Sequence, residues 1–393
     1  MTAGHGPGHG SGAVVYVAGS RWSGVAGTDR RLATALGLLA PVLWVDPPFS
    51  VLTRTRVGAR ETNRTGRSRV APGVTCLQTL APPGASRPGI SSVTARLVAR
   101  GIRSSLLAAG HPAAAVVVAS PRERFPTGVP GLRILYVTDD WPAGAALMGL
   151  PIERVRSRLE RNLRQADVVA AVSPVLAGRL ERDYGVPVVI LPNGCEPNRA
   201  APALADTASA GLVGQLNERL DVGLLEAVRA GGTPLEVVGP RTDRDAATRR
   251  QLDRLLTGEG VTWHGPVPFE ELPARLARMG VGLTPYADSE FNRSSFPLKI
   301  LEYLAAGLPV VSTDLAAVRW LDTDLITVAR DPQDFARHVR EILARPADPA
   351  ERARRIAFAA GHSWDARAQQ LLALASGQPN TTSARTGNSA QPE

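Results

Sequence analysis

Lysine is almost missing from this chain. Of its 45 basic residues one, Lys299, is lysine and 44 are arginine. Cysteine is equally scarce: Cys76 and Cys195 are the only two and lie far apart, which argues against a disulfide framework and against a zinc site, so both read as ordinary buried thiols. No apolar run reaches the roughly 18 residues a membrane-spanning helix needs. The start, Met1 to Gly12, is Gly/His-rich rather than basic and then apolar, so no secretory signal is expected and a cytoplasmic protein is. Internal repeats are absent. His264 has no second histidine close in sequence, which argues against a metal role, and no metal is called for.

The net charge is +9, but the arginines are spread over many segments, with no basic tail and no basic stripe interleaved with aromatics. Nucleic acid is therefore not an expected partner. Peripheral contact with anionic lipid at the inner face of a membrane is the role this charge leaves open, at about 1 kcal/mol per basic residue near the surface. A chain of 393 residues with 44% hydrophobic content exceeds one ordinary core and suggests two domains of about 150 to 200 residues. The boundaries read as a tail 1–12, a first domain 13–195, an Ala/Pro-rich linker 196–208, a second domain 209–360, a last helix 361–375 and a polar, disordered tail 376–393.

The stretch from Ala287 to Thr313 reads as loop, helix and strand. Ser294 and Ser295 offer capping hydroxyls, Pro297 falls in the first turn, and Gly307 with Pro309 supplies the stop. On the helix, Pro297 to Ala306, Lys299 and Glu302 are three apart and share a face. A helix N-terminus beside a cation suits phosphate, and a carboxylate there suits the vicinal hydroxyls of ribose, so a nucleotide diphosphate fits both halves. A genome that writes nearly every cation as arginine has kept an ammonium at this point. A compact point charge and a planar fork do different chemistry, which gives Lys299 a specific task.

Along the chain, a buried strand from Ala13 to Ala18 runs into a glycine-bearing loop containing Ser23 and Gly24, then a helix from Thr28 to Leu39. The loop lacks the Gly-x-Gly-x-x-Gly spacing, which argues against a nicotinamide cofactor. Ser50 to Ser91 reads as an irregular surface excursion apart from a strand at Val74 to Leu77. The strand Ile134 to Val137 delivers Asp139, Asp140 and Trp141 to its C-terminal end, where parallel sheets place chemistry. Two acids and an indole suit a sugar, although one of the aspartates is expected to cap the turn. Glu160 and Arg164 make an i,i+4 pair on the next helix. In the second half, Gly214 follows a strand and lets backbone approach a ligand, and strands at Leu235 to Val238, Val261 to Gly265 and Val281 to Thr284 lead to Gly239, Pro266 and Tyr286.

Phe-Pro-Leu-Lys-x-x-Glu-Tyr-Leu-Ala-Ala-Gly-Leu-Pro-Val-Val, from Phe296 to Val311, resembles the donor-binding segment of GT-B glycosyltransferases of the glycosyltransferase 4 type. Glu302 matches the second of that family's paired glutamates, which binds ribose. The first is replaced by Ser294, which leaves the donor sugar open. Asn292-Arg293-Ser294-Ser295 before Phe296-Pro297 resembles a subgroup that includes teichuronic-acid glycosyltransferases.

The resemblance implies an α/β fold of two Rossmann-like parallel-sheet domains with an interdomain cleft and a C-terminal helix crossing back. It puts Arg219 near the diphosphate and Gly239, His264, Pro266 and Val267 near the base. Gly214, Asn217, Tyr286, Asn292, Ser294, Ser295 and Phe296 belong on the donor side, and Ser23, Gly24 and Trp141 on the acceptor side.

The implied activity moves a sugar from a nucleotide-diphosphate donor to a glycan, lipid-linked or small-molecule acceptor. No cofactor beyond that co-substrate is implied, and anomeric configuration is retained. Lys299 and Arg219 would stabilise the leaving diphosphate, and Asp139 or Asp140 would serve as base if configuration inverts. The alternatives are a GT-B-fold epimerase and a noncatalytic protein binding nucleotide sugars or polyanions.

Overall fold

The computed structural model describes residues 12–24, 27–50, 65–84, 89–196 and 209–377. The expected tails, most of the linker and part of the excursion lie outside the described residues.

The first half builds an eight-stranded sheet from β1 (Ala13–Val17), β2 (Val42–Val45), β4 (Gly66–Ala71), β5 (Val74–Gln78), β7 (Ala113–Val118), β8 (Leu132–Val137), β9 (Val168–Ala171) and β10 (Val188–Ile190), in the order β10-β9-β8-β7-β1-β2-β5-β4. A two-residue patch pairs β3 (Phe49–Ser50) with β6 (Leu80–Ala81). Strands such as Ala-Val-Val-Tyr-Val are apolar throughout because helices cover both faces, the condition for a parallel sheet.

On one face, α1 (Thr28–Gly37) packs with Val14, Tyr16 and Trp44. On the other, α2 (Ile90–Ala109) and α3 (Ile152–Leu163) bury Ile102, Leu106, Val155 and Leu159 against Val15, Val17 and Val116. The helix α4 (Pro174–Tyr184) completes this half.

Two expectations need correction here. The excursion is not irregular where it is described, since β4 runs antiparallel to β5 as a hairpin. Glu160 and Arg164 form no ion pair, because α3 stops at Leu163 and Arg164 becomes its C-cap; Glu153 and Arg156 pair instead at 3.5 Å. The 20-residue helix α2 is one that apolar spacing does not announce, since Ser92, Thr94, Ser104 and Ser105 dilute its pattern.

The second half is a six-stranded parallel sheet of β11 (Ala210–Val213), β12 (Leu235–Val238), β13 (Val261–Trp263), β14 (Val281–Thr284), β15 (Val310–Thr313) and β16 (Ile326–Ala329), in the order β13-β12-β11-β14-β15-β16. This is the doubly wound order, whose crevice opens where the strand order reverses, between β11 and β14. Its helices are α5 (Val222–Ala230), α6 (Ala246–Leu256), α7 (Leu272–Leu276), α8 (Glu290–Ser294), α9 (Leu298–Ala305), α10 (Ala316–Leu321), α11 (Pro332–Leu343) and α12 (Pro349–Ala360). The last helix, α13 (Trp364–Ala375), leaves this half: Trp364, Leu371 and Leu374 pack among the β1 and β2 side chains of the first sheet. The expected crossing back is thereby observed. Among the described residues no helix is long and apolar enough to cross a membrane.

The sheet reversal has a side chain holding it open. β11 and β14 pair only at Ala210–Val281 and Gly211–Gly282 and then part. Tyr303 of α9 fills the gap: its hydroxyl accepts from the Val213 N–H at 2.8 Å and donates to the Leu283 carbonyl at 3.3 Å. Its ring lies so close to Gly282 that a Cβ there would sit 2.4 Å from Cγ. Tyr303→Phe removes the acceptor of a buried N–H and is expected to cost about 1 to 3 kcal/mol. Urea unfolding checks this, and a loss within measurement scatter would show that the hydroxyl does not hold the strands.

Candidate active site

The crevice floor is backbone. Gly214 and Gly239 end β11 and β12 with φ of +150° and +142°, and a Cβ on Gly239 would lie 1.8 Å from the Gly214 carbonyl oxygen. Only glycine fits such an approach, and the floor stays open to a ligand. Lys299 runs alongside, with Cε 3.9 Å from where a Gly214 Cβ would be.

Above it α9 begins at Leu298, and its N-cap is Pro297, which has no hydrogen-bonding side chain. The expected serine caps are absent. Ser294 ends α8, and the Ser295 hydroxyl turns back to the Phe291 carbonyl at 2.8 Å, a local bond that competes with capping.

Lys299 and Glu302 meet as their spacing implies, with Nζ 2.5 Å from Oε2. The structure adds a partner: Arg31 of α1 in the first domain donates to Oε1 of Glu302 at 2.5 Å. Glu302 and Arg31 are each 9% exposed. Burial alone would raise the Glu302 pKa, but Lys299 and Arg31 outweigh it and hold the carboxylate below its ordinary range.

Arg219 is clamped just as firmly. Its guanidinium lies 5.1 Å from the Tyr286 ring centre and 4.9 Å from that of Phe291, and Nε donates to Asn292 Oδ1 at 3.0 Å. Asn292, fully buried, donates to the Arg219 and Ala287 carbonyls at 2.9 Å each. Asn217 accepts from the Arg219 N–H at 3.1 Å and so shapes the turn that presents this arginine.

The two adjacent aspartates divide. Asp140 is buried, accepts from the Ala143 N–H at 3.0 Å and pairs with Arg179, which also pairs with Glu290 of the second domain. It is the turn residue. Asp139 is half-buried, and no hydrogen bond holds its carboxylate among the described residues. Burial raises its pKa to about 6, Arg219 pulls it down and Asp140 pushes it up.

A second carboxylate joins it that the sequence did not flag. Asp29, in the first turn of α1, accepts from Tyr16 Oη at 3.0 Å. Burial, opposed by that bond and the Gly19 backbone, lifts its pKa to about 7, with Asp139 adding repulsion. The charge of Asp139 thus reaches Asp29, and the two carboxylates lie near one another in the first domain. An acid opening a helix after a glycine loop was the only sequence signal for Asp29.

Other expected residues fall elsewhere. Trp141 is 2% exposed, within the apolar cluster of Val155 and Leu159, so it cannot stack on a sugar; its indole completes the core below the Asp139 turn. Ser23 and Gly24 are exposed, with the Gly24 carbonyl accepting from Arg30 at 3.3 Å. Ser294, Ser295 and Phe296 are buried where the domains meet: Ser173 donates to the Ser294 carbonyl at 2.5 Å and Asn193 to the Phe296 carbonyl at 3.0 Å. His264 donates from Nε2 to Glu236 at 2.5 Å and accepts from Arg275 at 3.2 Å, beside exposed Pro266 and half-buried Val267. Among the described residues no group of three His, Cys, Asp or Glu could hold a metal.

Arg31→Ala leaves the buried Glu302 with one cation. Removing one partner of a buried pair costs about 3 to 5 kcal/mol, and Lys299 should keep this case near the lower end. Because the folded-state pKa of Glu302 lies below its unfolded value, the stabilisation is fully present above about pH 4.3 and fades as pH falls through the folded value. Denaturant unfolding of both proteins at neutral pH and near pH 3 should show the difference shrinking; an equal difference at both would refute the ion-pair account.

Residues 210–345 match the family model described as glycosyl transferases group 1. A glycosyltransferase named for teichuronic acid biosynthesis, TuaH of Bacillus subtilis (strain 168), is 27% identical over 167 residues, 41% of this chain and 41% of that protein, so the match spans about two fifths of the relative. Sucrose-phosphate synthase from Thermosynechococcus elongatus superposes with a TM-score of 0.67 at 17% identity, covering 93% of this chain and 98% of that one. Anabaena HepE, solved with UDP and glucose, gives 0.63 at 13% identity over 92% and 99%. The chain therefore has the two-domain GT-B fold, and its second domain carries the match to the group 1 glycosyltransferases.

Proposed function

We propose that this protein is a glycosyltransferase that moves a sugar from a nucleotide-diphosphate donor in the cleft to an acceptor hydroxyl on the first domain. The observation that carries the reading is the Lys299–Glu302–Arg31 cluster at the start of α9, beside the Gly214 floor. The likeness to TuaH, a glycosyltransferase by name, supports the reaction class, and that to HepE, solved with UDP and glucose, supports the kind of donor.

In this reading the bond between the anomeric carbon and the diphosphate oxygen breaks with its electron pair passing to the diphosphate, the acceptor oxygen bonds to that carbon, and the hydroxyl proton passes to the departing diphosphate. Lys299, the α9 N-terminus and Arg219 stabilise that growing charge. Glu302 holds the ribose: a carboxylate has about four acceptor sites, and its two cations leave room for hydroxyl donors. Configuration is retained, in keeping with the family resemblance, and no metal is strictly required. Asp139 rather than Asp140 lies free to interact with the acceptor hydroxyl, since both Asp140 oxygens are engaged. Peripheral contact with anionic lipid belongs to the proposal too. It is supported by the outward face of α2, where Val93, Leu97 and Leu107 are exposed among Arg96, Arg100 and Arg103.

A panel of nucleotide sugars, read by nucleotide release with and without acceptor, tests the class. Release of altered sugar from donor alone would favour an epimerase. Lys299→Ala should raise the barrier by about 2.7 to 4 kcal/mol, as the loss of one oxyanion donor does, and should also lower Tm, because it leaves the buried Glu302 with Arg31 as its one cation. Lys299→Arg should also be impaired, because a planar fork cannot occupy the point of an ammonium; unchanged turnover in it would remove the special role of this lysine.

Asp139→Asn should reduce transfer while nucleotide affinity holds. Since the raised folded pKa means that the folded state loses stability as pH climbs from about 4 to 6, the same variant should melt no lower, and at neutral pH higher, than the parent. A lowered Tm with unchanged transfer would make Asp139 a structural residue.

A further inference from the structure

The first domain contains a second concave site, a pocket of about 530 Å3 between α2, α3 and the C-terminal ends of β1, β2 and β7. Its wall bears four arginines, Arg122, Arg124, Arg154 and Arg158, against a single acid, Glu123. None of the four forms a salt bridge among the described residues. Two of them hydrogen-bond only to neutral carbonyls: Arg122 to Met148 at 3.2 Å and Arg124 to Ser91 at 2.7 Å. Four guanidinium groups sharing one concavity repel one another, and such an arrangement persists at lowest cost where an anion enters it.

The neighbours confirm the imbalance. Burial lowers the Arg158 pKa, with Arg124 adding to the effect and Glu123 opposing it. Burial raises the Glu123 pKa despite Arg158, Arg124 and Arg122 around it, so the only acid is itself a weakened counter-charge. Apart from Ser91 and Thr94 the rest of the wall is apolar, with Val98 and Phe125 among it. The pocket reaches Pro121, just past the end of β7, while Asp139 stands just past the end of β8. These strands are neighbours and lie about 4.8 Å apart, so pocket and carboxylate share one sheet edge.

We infer that this pocket binds a phosphate group carried by the acceptor, so that the acceptor is a phosphate ester anchored by Arg122, Arg124, Arg154 and Arg158. Arginine forks match phosphate oxygens in pairs, and the apolar wall takes the remainder of the molecule. The ester is either a soluble sugar or polyol phosphate or a lipid phosphate headgroup. The term acceptor rests on the transferase reading; phosphate binding itself does not.

The test starts from Lys299→Ala protein, which lacks the donor-side ammonium. Inorganic phosphate titrated into it by calorimetry should still bind, and adding Arg154→Ala and Arg158→Ala should weaken binding by roughly tenfold or more, the loss of charge-assisted hydrogen bonds. Arg154 is exposed on α3, so Arg154→Gln alone keeps folding out of question and should weaken binding severalfold. Unchanged affinity in these variants, or no phosphate binding without Lys299, overturns the inference.

Phosphatidylcholine vesicles doped with phosphatidic acid separate the sources. Retention on them that free phosphate competes away assigns the headgroup, whereas phosphate binding with vesicles ignored assigns a soluble ester. Phosphate titration needs no donor, so its failure and a failure of donor turnover are separate results.

Discussion

A buried carboxylate at a domain boundary constrains everything around it. Moving Glu302 out of water costs several kcal/mol, and that cost is offset only if both oxygens find cations in good geometry. One cation, Lys299, comes from the same helix at a spacing any helix supplies. The other, Arg31, comes from the opposite domain. The closed arrangement of the two halves and the low pKa of Glu302 are therefore one fact seen from two sides, and a ligand entering the cleft meets an acceptor group already ionised and oriented.

The helix bearing that carboxylate is itself positioned by the parting of two strands. β11 and β14 separate after two pairs, and Tyr303, one residue beyond Glu302, ties both free ends with its hydroxyl while its ring rests on Gly282. A side chain at Gly282 would displace the ring, and a displaced ring would move Lys299 and Glu302 with it. The Gly214–Gly239 contact next to it keeps the floor bare of side chains. Packing and chemistry are thus carried by neighbouring residues of a single turn.

Two cations and two acids of the cleft come from opposite domains. The second domain supplies Lys299 and Arg219, each fixed by partners of its own, on the side where phosphate is proposed to lie. The first supplies Asp139 and Asp29, whose pKa values of about 6 and about 7 follow chiefly from burial. The neighbouring Asp140 is held instead by Arg179 and the Ala143 N–H, so two adjacent residues of one type have different partners.

The sequence by itself determined the local elements. Apolar β-branched runs marked most strands of both sheets and the Lys299–Glu302 spacing marked one face of α9, because each of these depends on residues a few positions apart. Tertiary structure decided what depends on distance in space. Arg31 reaches Glu302 across 271 positions, and nothing in the spacing of either residue encodes that meeting. Trp141 looked like a sugar platform beside two acids, yet the turn directs it into the core. The choice of Asp139 over Asp140 as the unheld carboxylate was made by Arg179 on another helix. Ser294 and Ser295 had the chemistry of caps, but Ser294 ends the short helix α8 and the Ser295 hydroxyl turns back to the Phe291 carbonyl, since a hydroxyl near a helix start caps only when no closer backbone carbonyl takes it.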